Sequence, residues 1–261
     1  MIGFIGAGNM GGAIVSGMVR SGKYAPESIC VCDKAISGEI AELGVGIASM
    51  EETVAGCDYI ILAVKPGVLP EVLKQISGFS GISEKVFVSI AAGVKLSAIE
   101  QHLKGCRVIR VMPNLCLRAG EGMTVIAPNG AVSAEELGFA ENIFACSGKT
   151  AVVREDLIDA CTAISGSGPA YVFMFIEALA DAGVKQGIDR KTAYLLASQT
   201  LLGSAALCME SGLHPGELKD MVCSPGGTTI EAVEALERCG MRASVMEAVN
   251  ACAQKARKLG E

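Results

Sequence analysis

Several short stretches hold residue types at spacings that could bind anions or a cofactor. GAGNMG (6–11) sets Gly6, Gly8 and Gly11 in G-x-G-x-x-G spacing around Ala7, Asn9 and Met10. An apolar run, IGFI (2–5), precedes it, and a helical pattern opens at about Asn9. There the glycines let main chain approach a pyrophosphate, and the helix N-terminus offers unbonded N–H groups and a positive dipole end. The expected cofactor is NADP or NAD. A second strand ends at Asp33, whose carboxylate would accept ribose hydroxyls and repel a 2′-phosphate, whereas Lys34 would pair with that phosphate. The choice between the two cofactors stays open. AVKPG brings Ala63, Val64, Lys65 and Pro66 to the end of another strand, and SIAAGV brings Ala91, Ala92 and Gly93 to the next. Strand C-termini are where open α/β sheets bind ligands, so both are expected to line the cofactor, with Lys65 on its nicotinamide side. Far along the chain, SPGGTT (224–229) interrupts a helical region with residues that are poor helix formers.

The elements that must position these residues alternate through the first half. IGFI (2–5), SICVC (28–32), DYIILAV (58–64), KVFVSI (85–90), RVIRV (107–111) and EGMTVIAP (121–128) read as strands. Helical patterns such as MGGAIVSGMV (10–19) and LPEVLKQI (69–76) lie between them. This alternation predicts an α/β domain with a Rossmann-type, doubly wound parallel sheet covered on both faces. A helix over 133–146 is expected to start in a capping box of Ser133 and Glu136. After about residue 153 every segment reads as helix, and Gly187 is expected to cap the first of the long ones. The expected organisation is a dinucleotide-binding domain over 1–152 and an all-α substrate-binding and dimerisation domain over 153–261.

Composition narrows the partners. The net charge is −6, the pI is 5.2 and no basic cluster stands out, which argues against nucleic acid. The chain is 51% hydrophobic but only 4% aromatic, so burial must come from small and aliphatic side chains that let helices approach closely. A mean hydropathy of +0.44 points to apolar surface hidden in an oligomer. The most apolar window, 170–184, is interrupted by Glu177 and Asp181, so no membrane span is expected. Eleven cysteines without ligand spacing and an N-terminus that enters a strand at once read as reduced thiols in the cytoplasm. Cys30 and Cys32 are read as core packing. His102 and His214 have no acidic partner at ligand spacing and are read as surface or capping residues, with no metal site and no Ser-His-Asp triad.

A Rossmann domain before a helical domain also fits β-hydroxyacid dehydrogenases. That group carries a Lys on the first long helix of its second domain, where Val172 stands here in SGSGPAYVFMF (165–175). No residue on this helix would take the proton of an alcohol.

Taken together, AVKP (63–66), RVMPN (110–114), SGSGPAY (165–171) and SPGGTTIEAV (224–233) resemble the pyrroline-5-carboxylate reductases nearly end to end. The resemblance implies NAD(P)H-dependent reduction of the small cyclic imine 1-pyrroline-5-carboxylate to L-proline, the last step of proline biosynthesis. It implies a homodimer through the helical domain, extending to a ring of dimers. Pro113 and Asn114 would line the substrate crevice. Gly226, Gly227, Thr228 and Thr229 would offer free N–H groups to the substrate carboxylate, with the Ser224 and Thr229 hydroxyls alongside as the catalytic pair. Met174 falls where some members have a hydroxyl residue, so no proton donor is assigned there, and Glu177 is read as a helix-surface or interhelical carboxylate. A reductase of another cyclic imine carboxylate and a non-catalytic dinucleotide-binding paralogue remain as alternatives.

Overall fold

The computed structural model describes residues 1–259. The chain forms two compact units, Met1–Ser167 with the chain from Cys252 onward, and Gly168–Ala251.

The first unit contains β1 (Ile2–Ile5), α1 (Asn9–Arg20), β2 (Ile29–Cys32), α2 (Gly38–Ala41), β3 (Gly46–Ile47), α3 (Met50–Gly56), β4 (Tyr59–Leu62), α4 (Leu69–Ile76), β5 (Val86–Ser89), α5 (Leu96–Glu100), β6 (Arg107–Met112), β7 (Gly122–Pro128), α6 (Ala134–Phe144), β8 (Gly148–Val152) and α7 (Ile158–Cys161). The strands form one sheet in the order β3-β2-β1-β4-β5-β6-β7-β8. Alternate strand residues feed two cores. Phe4, Ile61 and Val88 pack with α1 and α6 on one face, while Ile60, Leu62 and Phe87 pack with α3, α4 and α5 on the other. α6 starts in the expected capping box of Ser133 and Glu136, and α3 starts in a second one, Ser49 with Glu52.

The expectation of a wholly parallel sheet needs correction at one edge. β1 to β6 pair in parallel, but β7 runs antiparallel to β6, and β8 is parallel to β7. The segment 113–121 between β6 and β7 is too short for a helical crossover, so the chain can only turn back. Between β7 and β8 there is room for α6, and parallel pairing returns.

A π-helical turn, Thr162–Gly166, follows α7. The second unit then holds α8 (Gly168–Lys185), α9 (Arg190–Ser211), α10 (Pro215–Val222), α11 (Thr228–Arg238) and most of α12 (Met241–Leu259). Gly187, at φ 94°, donates its N–H to the Val184 carbonyl just past α8. Small residues bring α8 against α9: Ala180, Ala193 and Ala197 are buried, and a Cβ on Gly183 would lie 3.3 Å from that of Ala193. Large apolar side chains such as Phe173, Met174, Leu195, Leu202 and Met209 are exposed. Two helical stretches, Glu155–Lys185 and Arg190–Ser211, are long and apolar enough by length and composition to cross a membrane, contrary to the sequence expectation.

Candidate active site

Because β1, β2, β4, β5 and β6 are mutually parallel, their C-termini share one edge of the sheet. The strand order reverses between β1 and β4, and that is where ligands enter such sheets. The residues expected to hold the cofactor, Gly6–Gly11, Asp33–Lys34, Ala63–Pro66 and Ala91–Gly93, all follow these strands.

Each glycine of the first loop has its own reason. Gly6 has a φ of 101°, its N–H donates to the Cys32 carbonyl at 2.8 Å, and a Cβ there would lie 2.7 Å from the Ala63 carbonyl oxygen. On Gly11 a Cβ would meet the Gly6 carbonyl oxygen at 2.6 Å, so this glycine lets α1 sit close over β1. Around Gly8 there is open space. Gly8 caps α1 without a side-chain bond, the first turn carries no acid, and the N–H groups of Asn9 and Met10 have no acceptor among the described residues. Open space, unbonded donors and a positive helix end fit the pyrophosphate of a dinucleotide. A cleft of about 890 Å³ runs from Gly8 and Asn9 along α1 to Arg20, walled by residues 37–40 and 117–120.

Asp33 does more than the sequence reading assigned to it. Its Oδ2 accepts the Ala7 N–H at 2.6 Å and its Oδ1 accepts the Ala35 N–H at 3.1 Å. The carboxylate thus ties the end of β2 to the glycine loop. Burial, and then the neighbouring Asp33 charge, push the Cys32 thiol up. Lys34 and Lys65 are exposed and form no ion pair among the described residues.

Asn114 is buried, and both the oxygen and the nitrogen of its amide are bonded to main chain. Its Oδ1 accepts N–H groups from Cys116 and Met123, each at 3.2 Å, and its Nδ2 donates to the Ser165 carbonyl at 2.9 Å. It joins the end of β6 and the start of β7 to the π-helical turn, with Pro113 buried beside it. Sequence reasoning missed the neighbouring Arg110. Its side chain is 5% exposed and bonds Glu155 at 3.2 Å and Asp159 at 3.3 Å, and Glu155 also accepts the Leu96 N–H at 2.6 Å. An Arg flanked on both sides by apolar residues in mid-strand was the available signal.

In the second unit, Ser224–Gly227 forms a β-turn. Gly227 donates to the Ser224 carbonyl at 3.0 Å, Pro225 takes the second position, and Gly226, at φ 67°, takes the third. This is the type II pattern, which needs a glycine at its third position. The expectation of a free N–H on Gly227 is therefore corrected, because that donor closes the turn. Gly227 caps α11 with no side-chain bond, and the N–H groups of Thr228 and Thr229 have no acceptor among the described residues. A Cβ on Gly227 would meet the Ser224 Oγ at 2.3 Å, which places that hydroxyl over the helix start. Thr229 is half-buried and Thr228 exposed. His214 caps α10, its Nδ1 accepting the Gly216 N–H at 3.0 Å, and the His102 ring lies 3.3 Å from the Ala98 carbonyl. Glu177 and Met174 are exposed on α8.

Two parts of the chain match two different protein families. Residues 155–259 match the family "Pyrroline-5-carboxylate reductase dimerisation", and residues 1–93 match "NADP oxidoreductase coenzyme F420-dependent". The pyrroline-5-carboxylate reductase of Escherichia coli is 46% identical over 265 residues, covering 100% of this chain and 98% of that protein. The Methanosarcina acetivorans enzyme of the same name is 44% identical at the same coverage. Among solved structures, the Coxiella burnetii pyrroline-5-carboxylate reductase superposes with a TM-score of 0.95 at 34% identity, over 100% of this chain and 98% of that one. The Plasmodium falciparum pyrroline carboxylate reductase with NADP bound superposes with a TM-score of 0.88 at 33% identity, with the same coverage. With its glycine loop, its SPGGTT helix start and full-length matches at these identities, the chain belongs to the pyrroline-5-carboxylate reductase family.

Proposed function

We infer that SPGGTT orients the carboxylate of 1-pyrroline-5-carboxylate for hydride addition. The enzyme is an NAD(P)H-dependent oxidoreductase that reduces this imine to L-proline, the closing step of proline biosynthesis. The observation that carries the assignment of roles is the start of α11, where Thr228 and Thr229 present unbonded N–H groups on a glycine-capped helix. A helix start of this kind favours an anion without a committed Arg. When bound, NAD(P)H would supply the hydride for the imine carbon. The imine nitrogen is protonated beforehand, so the chain's own residues have little acid-base work. They bind, orient and exclude water. The Ser224 and Thr229 hydroxyls act beside the carboxylate, with Gly226 and Gly227 shaping the turn. Asn114 acts through position, holding the β6 end, with Pro113, against the π-helical turn. The GAGNMG loop, Asp33–Lys34, Ala63–Pro66 and Ala91–Gly93 hold the cofactor.

The helical part, residues 153–261, serves substrate and dimerisation, and 1–152 serves the dinucleotide. The family matched over 155–259 is a dimerisation family, and the exposed apolar faces of α8 and α9 supply surface for it. Those faces are covered by a partner chain in a homodimer, itself part of a ring of dimers, rather than by a membrane, and the enzyme works in the cytoplasm. The test is loss of NADH or NADPH absorbance with pyrroline-5-carboxylate present. Fast oxidation supports the assignment, whereas no oxidation by cofactor-binding protein moves it to another imine. Dilution that dissociates the oligomer should abolish turnover, and full turnover per free subunit would refute the role of the dimer.

A further inference from the structure

We propose that Asp33 makes this enzyme select NADH over NADPH, by fixing a negative charge where a 2′-phosphate would have to lie. The inference rests on the assignment of GAGNMG as the dinucleotide loop. The end of β2 faces the adenosine ribose in such folds, and an acidic residue there suits two free ribose hydroxyls.

The sequence alone leaves Asp33 and Lys34 in balance, and the structure breaks the tie. The Asp33 carboxylate is held at both oxygens, by Ala7 N–H at 2.6 Å and by Ala35 N–H at 3.1 Å. Rotating it away from an incoming phosphate would orphan two main-chain donors, one of them in the glycine loop itself. A carboxylate offers about four acceptor positions, so two remain for the 2′- and 3′-hydroxyls. The same N–H groups that could have met a phosphate are already spent on an anion. Lys34, by contrast, is exposed and held by no partner among the described residues. A mobile surface ammonium gains little from an ion pair and is screened by salt. The rest of the β2–α2 turn does not help a phosphate. Ser37 has its hydroxyl on the Ile40 N–H as the cap of α2, and Glu39, exposed in the first turn of that helix, puts a negative charge on a cleft wall whose cations, Arg20 and Arg118, lie outside this turn.

The experiment measures binding as well as turnover. Dissociation constants of NADH and NADPH would be taken from nicotinamide fluorescence, and those of ADP-ribose and 2′-phospho-ADP-ribose from competition, on the intact oligomer without substrate. NADH should bind at least about tenfold tighter than NADPH, and ADP-ribose tighter than its 2′-phosphate by a similar factor. Asp33→Asn keeps an oxygen for the Ala7 N–H and removes the charge, so it should bring the two cofactors to within about threefold. Asp33→Ser is a second variant with the same expected direction. Lys34→Ala should weaken NADPH by less than about threefold. Equal or tighter binding of NADPH by the unaltered enzyme would overturn the proposal. So would an unchanged ratio in a folded Asp33→Asn, which would make Asp33 a loop fastener alone. Failure to bind either cofactor would instead overturn the glycine-loop assignment on which it rests.

Discussion

The N-caps of α1 and α11 are both glycines, Gly8 and Gly227, and their surroundings differ. At α1 the glycine loop is enclosed by main chain. Gly6 is tied to Cys32, Gly11 lies on Gly6, and Asp33 fastens Ala7. At α11 the turn is held by one local bond, Gly227 to Ser224, and Ser224, Pro225, Gly226 and Thr228 are exposed. Some other helices fill their own first turns. α3 and α6 use Ser–Glu capping boxes and α9 uses Asp189. A self-capped helix has spent donors that an anion would need. The two glycine caps leave those donors for a ligand, one in a rigid frame and the other on an open surface. The glycine loop is thus framed by main chain from several elements of its unit, while the turn before α11 is framed by one local bond.

Substitutions can break this contrast, beginning with the largest effect. Thr229→Ala should lower kcat/KM by about 10- to 1000-fold, on the scale of one or two orienting hydrogen bonds. NADH affinity should stay unchanged, and unaltered steady-state kinetics would remove Thr229 from the site. Asn114→Ala strips partners from Cys116, Met123 and Ser165 and should cost about 2–4 kcal/mol in urea unfolding. A raised KM with full stability would show instead that Asn114 meets the substrate directly. The same change at each helix start then compares the two directly. Gly6→Ala should cost about 1–3 kcal/mol, because positive φ combines with the Ala63 carbonyl at 2.7 Å. Gly226→Ala, with open space around it, should cost about 1 kcal/mol, near the bare conformational penalty. Equal thermal shifts would show that the two frames are equally rigid.

The smallest effect concerns pH. Burial pulls the Glu136 carboxyl upward, but its bonds from Ser133 and the Arg107 guanidinium hold it below the usual range. A folded value below the unfolded one means the stabilisation is full above about pH 4.5 and disappears as pH falls through the lower native value. Glu136→Gln should flatten the acid limb of the stability curve, and an unchanged limb would dismiss the contribution.

Much of this was legible along the chain. The glycine loop, the ends of α4 and the capping box at Ser133 follow from local pattern, because the interactions that define them lie within a turn or two. β3 has only two residues, Gly46–Ile47, too few for an alternation to show. The direction of β7 lay in the length of one connection rather than in any residue. The spent donor of Gly227 was also readable, since Ser-Pro-Gly-Gly spells a type II turn. The amide of Asn114 could not be read, because its partners are as far as 51 residues away. Arg110 finds its carboxylates 45 and 49 residues downstream, so only folding pairs them.

The return of the C-terminal helix has an engineering consequence. The chain leaves the first unit at Ser167 and re-enters it at Cys252, and the Ser167 hydroxyl and Cys252 thiol lie 3.1 Å apart. The helical unit is thus a cassette spliced between two adjacent points, and a two- or three-residue bridge from 167 to 252 would close the gap it left. Nature could exchange such an insert without rethreading the nucleotide-binding sheet, and a protein engineer could do the same.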